Sequence, residues 1–166
     1  MQRPALFLAA LLFATPAQAR DSLGIFGAWG AFRDPAVPRC YAIAMANPAK
    51  GSINGSKRET QPYADVGIWP KRAIRNTLHL RLSHRIAPAS PITLSLSGQH
   101  YKLVGGNNDA WSADQRMDAA IIAAMRSAET MTVASRDSAG KPFSDAYALS
   151  GAATAMDAAA LGCATR

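Results

Sequence analysis

Two cysteines, Cys40 and Cys163, lie near opposite ends of a chain whose first 19 residues, MQRPALFLAALLFATPAQA, have the form of a secretory leader. Arg3 precedes a short apolar run from Ala5 to Ala14, and Ala17-Gln18-Ala19 supplies the small residues of a cleavage site, so the mature chain is expected to begin at Arg20. Export would carry both thiols into an oxidising compartment, where a disulfide is the expected state. A bridge across that separation would hold an early segment against the tail, which constrains the fold more than any other feature.

Removing 19 of 166 residues leaves 147, the size of one compact domain with a core of its own. No later run approaches the roughly 20 consecutive apolar residues of a membrane-spanning helix. The full chain carries 18 Lys and Arg against 11 Asp and Glu, and loss of Arg3 with the leader lowers the formal charge from +7 to +6. Such a balance favours anionic neighbours: lipid head groups, lipopolysaccharide, acidic glycans or an acidic protein, with peripheral membrane association open and nucleic acid not expected outside the cytosol. Solubility alone accounts for the same excess.

Hydrophobic periodicity predicts a β-rich chain with two helices. Strands are expected within Leu23–Asp34, where glycines suggest close approach or a bulge, and over Cys40–Ala46, Asp65–Trp69, Asn76–Ser83, Thr130–Arg136 and Pro142–Tyr147. Ile92–Ser97 and Gln99–Val104 read as a hairpin closed at Ser97-Gly98. Asn47–Pro62 and Gly105–Asp109 read as loops. A helix is expected from Ala113 to Ser127, started by a Ser112…Gln115 capping box, with Met117, Ile121 and Met125 on its apolar side. A final helix carries Leu149, Ala153, Met156, Ala160 and Cys163 as one stripe, with Gly162 marking its end.

Cys163 would then face inward from the last helix, and Cys40 would lie on a strand face that also carries Ala42, Ala44 and Ala46. Small residues on both elements allow the close approach a disulfide requires. A reactive thiol is the alternative, but no C-x-x-C motif is present, and no local catalytic signature ties His79, His84 or His100 to either cysteine.

The early Trp29-Gly30-Ala31-Phe32, the Arg39-Cys40-Tyr41-Ala42 that begins the next strand, and the run from Asp145 to Met156 into the final helix resemble the invasion-associated locus B family of bacterial exported proteins. The resemblance implies a β-rich domain with accessory helices in the periplasm or at the outer envelope, associated in some members with host-cell invasion. It implies no known reaction. Gly151 matches a glycine of the family, and Ala152 stands where the family often has an aromatic residue.

On the strand around Leu78, Leu80 and Leu82, the opposite parity holds Arg75, Thr77, His79, Arg81, Ser83 and Arg85. Arg75, His79, Arg81 and Arg85 are therefore candidate anion-binding residues, with guanidinium groups suited to phosphate or sulfate. A solvated, basic strand face that resists aggregation is the simpler reading. Nucleophile-elbow, zinc-protease and Walker signatures are absent, and His79 and His84 have opposite parity, so neither catalytic residues nor a metal or cofactor site are expected. Asp114, Asp118 and Asp145 leave a carboxylate pair open, although helix stabilisation explains Asp114.

The expected fold is α+β: an antiparallel β-sandwich or curved sheet with two accessory helices, the C-terminal one tethered by Cys40–Cys163. The expected function is non-catalytic binding or structural support in the bacterial envelope. A small periplasmic hydrolase or transferase is the alternative.

Overall fold

The structure is a computed structural model and describes residues 20–48 and 58–164. The expected leader, residues 1–19, and residues 49–57 of the expected 47–62 loop lie outside the described residues.

Ten strands form one antiparallel sheet: β1 (Asp21–Phe26), β2 (Trp29–Asp34), β3 (Arg39–Met45), β4 (Tyr63–Trp69), β5 (Ile74–Arg81), β6 (Ile92–Leu96), β7 (Gln99–Gly106), β8 (Asp109–Trp111), β9 (Thr130–Arg136) and β10 (Pro142–Ala148). Their spatial order is β1-β2-β3-β4-β5-β8-β7-β6-β9-β10. Strand β7 joins two halves, pairing over Gln99–Leu103 with β6 and over Val104–Gly106 with β8. The sheet curls until the end of its last strand reaches the β1–β2 turn and the residues just after β3. Asn47 donates to the Ala146 carbonyl at 2.8 Å, and Ala28 to that of Ser150 at 3.0 Å. The Trp29 indole donates to Ala148 at 2.9 Å.

One core fills the curl. Leu78, Leu80, Ala64, Val66, Ala42 and Ala44 from the first half meet Leu94, Met131, Val133, Phe143 and Tyr147 from the second. Helix α1 (Gln115–Met125) packs across β5 and β6, and α2 (Ala152–Ala164) lies across β1 to β4. Alanines at 31, 42 and 44 on the strands and at 152, 155 and 159 on α2 let backbone and helix come together. There the disulfide closes between Cys40 and Cys163, with a Cα–Cα distance of 5.9 Å. The expected α+β fold and its tether are both present.

Several boundaries differ from the sequence reading for local reasons. The segment expected as one strand over Leu23–Asp34 is a hairpin turning at Gly27-Ala28, and Asp109–Trp111, partly assigned to a loop, is a short strand. Helix α1 is capped by Asp114, whose carboxylate accepts from Met117 at 2.8 Å, so the Ser112…Gln115 box does not form. On α2 the buried positions are Ala152, Ala155, Met156 and Ala159, one residue away from the expected Ala153 and Ala160.

Gly162 lies inside α2, and an added Cβ would meet Leu23 Cδ1 at 2.5 Å, so the glycine lets the helix press against β1. Gly151 has φ +85°, and a Cβ there would run into the Phe26 carbonyl. Its place in the terminal motif follows from that contact between the start of α2 and the first hairpin.

Candidate functional site

Cross-strand register builds a second face on β1 to β5, β8 and the end of β7, directed away from the core. Successive side chains alternate across a sheet, so once Ala42, Val66, Leu78 and Ala110 point inward, their neighbours point outward. One transverse row runs Ile25, Gly30, Ile43, Asp65, His79, Trp111 and Val104, each residue paired with the next across the ladder. A neighbouring row holds Met45, Tyr63, Arg81 and Asp109. On the other side lie Phe32, Tyr41, Gly67 and Thr77, then Arg39, Trp69 and Ile74.

His79 is at the centre of this face. Its Nε2 lies 3.0 Å from Asp109 and its Nδ1 3.7 Å from Asp65. Its ring stacks on Trp111 at 5.3 Å and meets the edge-on ring of Tyr63 at 5.7 Å. Burial of the ring opposes protonation, but the two carboxylates outweigh it and hold the His79 pKa above its ordinary 6.5. Burial, aided by the charges of Asp65 and Asp109, raises the Tyr63 phenol above its usual value.

Arg81 reaches Asp109 at 2.8 Å. Arg39 approaches Asp65 at 3.9 Å while its guanidinium covers Tyr41 at 4.4 Å and lies 5.8 Å from Trp69. Trp69 folds over Gly67, where a Cβ would stand 2.5 Å from the indole, so glycine is what lets the ring lie down on the strand. Asp65 is 4% exposed, and its Oδ1, like Arg39 Nε, is buried without a hydrogen bond among the described residues.

The four residues expected to form a basic row separate. His79 and Arg81 share the outer face, each already engaged by carboxylate. Arg75 does not follow them, because β5 carries a bulge: Thr77 pairs with Gly67 and Ile74 with Trp69, leaving both Arg75 and Asn76 opposite Ile68. Arg75 instead borders clefts on the helix side, one with Ala160 and Cys163 and another with Asp118 and Ile122. Arg85 lies beyond the strand, bonded to Asn107 at 3.0 Å. Ser83, expected on the wet face, is buried.

A second polar cluster surrounds Asp145, which is fully buried and accepts the Ser83 N–H at 2.9 Å, with Arg58 at 4.0 Å. Burial raises the Asp145 pKa despite these partners. Glu59 and Thr60 both donate to the Ser83 carbonyl, so residues 58–60 are fastened to the segment after β5, with Arg58 reaching Asp145 of β10. Among the described residues, no group of three His, Cys, Asp or Glu side chains is placed to hold a metal ion.

Sequence reasoning found His79 and Arg81 but missed Asp65, Asp109, Arg39 and the aromatic residues around them. The Tyr63-Ala64-Asp65-Val66-Gly67-Ile68-Trp69 alternation carried the signal: the odd positions differ in kind from the apolar even ones. No protein-family model matches this chain, and no curated protein or solved structure does either.

Proposed function

We propose that this chain is an exported, non-catalytic binding protein of the bacterial envelope that holds its partner on the outer face of β1 to β5, β8 and the end of β7. The observation that carries this reading is the set of large apolar side chains left in solvent around the charged centre of that face: Ile25, Met45, Ile74, Val104 and Trp111 are 38% to 68% exposed on one side of the sheet. Large apolar side chains held in solvent on one face of a sheet mark a candidate interaction surface.

The Cys40–Cys163 bridge supports an oxidising compartment. No helix among the described residues is long and apolar enough to cross a membrane. The likeness to the invasion-associated locus B family supports the same address and carries an invasion role as its extension. A binding role is favoured over hydrolysis because both His79 ring nitrogens already face carboxylates, leaving neither to activate a nucleophile. The net positive charge favours an anionic envelope polymer or an acidic protein, yet Arg81 and His79 are already paired. Contact with rings and apolar side chains therefore contributes more here than charge.

Sedimentation with a bacterial envelope fraction tests the reading. Wild-type protein is expected in the pellet, and an Ile25→Ser, Met45→Ser, Trp111→Ala variant that keeps its far-ultraviolet circular dichroism is expected in the supernatant. Equal retention of both would remove this face from the function.

A further inference from the structure

We infer that the partner of the outer face is an uncharged polysaccharide chain, seated on Trp111 and Trp69 and hydrogen-bonded by the charged cluster between them. This rests on the binding role proposed above and names its ligand class.

The first support is the pair of indoles. Trp111 is 39% exposed and braced by His79, while Trp69 is laid over Gly67 and flanked by Arg39. Two strand spacings and four residues along the strand separate them, about 10 Å across and about 13 Å lengthwise. A sugar ring offers an apolar C–H face to the electron-rich face of an aromatic ring, and a chain of such rings can reach both indoles.

The second support is polar. Asp65 Oδ1 is an acceptor and Arg39 Nε a donor, both buried and both without hydrogen bonds among the described residues. An unmet buried polar atom costs about 1–3 kcal/mol, so a ligand able to satisfy it gains affinity. A hydroxyl donates and accepts, and so matches both atoms once the Arg39 side chain swings aside to admit it. An anionic group would suit Arg39 but oppose Asp65 and Asp109, and a cation would do the reverse.

The third support is charge balance. Asp65 and Asp109 are matched one for one by Arg39 and Arg81, and His79 adds one positive charge when protonated, so the ion pairs close within the cluster and leave at most one net charge for a polymer to meet. Complementarity therefore favours a neutral chain with many hydroxyls. The row from Ile25 to Val104, apolar at both ends and polar at Asp65 and His79, crosses seven strands, about 29 Å at the usual spacing, which suits a polymer better than a monosaccharide.

Retention on envelope material after selective treatment tests the inference. Periodate, which cleaves vicinal diols, is expected to reduce retention at least tenfold, while protease digestion, organic extraction of lipid and 0.5 M salt leave it within twofold. Trp111→Ala is expected to weaken retention at least tenfold, and Trp111→Phe to restore part of it. Loss of retention after protease, lipid extraction or salt, with periodate ineffective, overturns the polysaccharide and identifies a protein, lipid or anionic partner for the same face. Absence of retention in the untreated wild-type control overturns both this inference and the binding role beneath it.

Discussion

The carboxylate of Asp118 accepts the backbone N–H of Leu78 at 2.9 Å, so a helix completes the hydrogen bonding of a strand. Leu78, Leu80 and Leu82 share one parity, and the Leu82 N–H goes to the Asn108 carbonyl on the β8 side. Strand β8 ends at Trp111, opposite His79, one residue short of Leu78. Asp118, in the first turn of α1, takes the place of the missing strand.

Removing that acceptor leaves a buried donor without a partner. Asp118→Ala is expected to cost about 1–3 kcal/mol in urea unfolding, and Asp118→Asn, which keeps an oxygen, less than half as much. Equal losses in the two variants would show that charge, not acceptance from Leu78, is what matters at this position.

The Cys40–Cys163 bridge spans 123 residues. Restriction of the unfolded chain by a loop of that size corresponds to about 5 kcal/mol in the entropy model. A Cys40→Ala, Cys163→Ala variant is therefore expected to unfold at much lower urea concentration, with a loss approaching that value. An unchanged midpoint would mean that the packing of α2 on the alanine faces of β2 and β3 holds the tail without the bridge.

Which parts of this arrangement were legible follows from how local their causes are. The Leu78-Leu80-Leu82 alternation and the 130–136 strand express themselves within a few residues, and both were readable. The tether was readable because two cysteines allow one intramolecular pairing. On α2, alanines at 152, 153, 155, 158, 159 and 160 make neighbouring stripes nearly equivalent, so the buried side is chosen by contact with β1 to β4 rather than by pattern. The outer face depends on β5 pairing with the three-residue β8 instead of β6, and on a bulge that diverts Arg75. Neither leaves a local mark in hydrophobicity.

Asp145 should report on burial through pH. Its carboxyl is fully buried and its pKa lies above the ordinary 3.8, with desolvation the leading cause and the Ser83 N–H and Arg58 only partly offsetting it. A folded pKa above the unfolded one means that its contribution to stability is greatest below pH 3.8 and is lost as pH rises through the folded value. Asp145→Asn keeps an oxygen for Ser83 without the charge. It is expected to raise the urea midpoint at neutral pH, with the gain shrinking toward pH 3; a lower midpoint at neutral pH would show that the Arg58 pairing outweighs the desolvation.

His79 should behave as a titrating brace of the outer face. The ring is held between Asp65 and Asp109, which favour its protonated form more than burial disfavours it, so the folded pKa exceeds 6.5. The stabilisation from this pairing is fully present below pH 6.5 and is lost as pH rises through the folded value, provided the two carboxylates stay ionised. In wild-type protein the imidazole proton resonance is expected to titrate above 6.5, and Asp109→Asn to move the midpoint down by removing the closer carboxylate. Stability measured by urea should then fall as pH rises above 6.5 in wild type and stay flatter in His79→Gln. A wild-type midpoint at or below 6.5 would mean that burial wins over the two carboxylates. The cluster would then shed its one extra positive charge at lower pH, leaving Arg39 and Arg81 matched against Asp65 and Asp109.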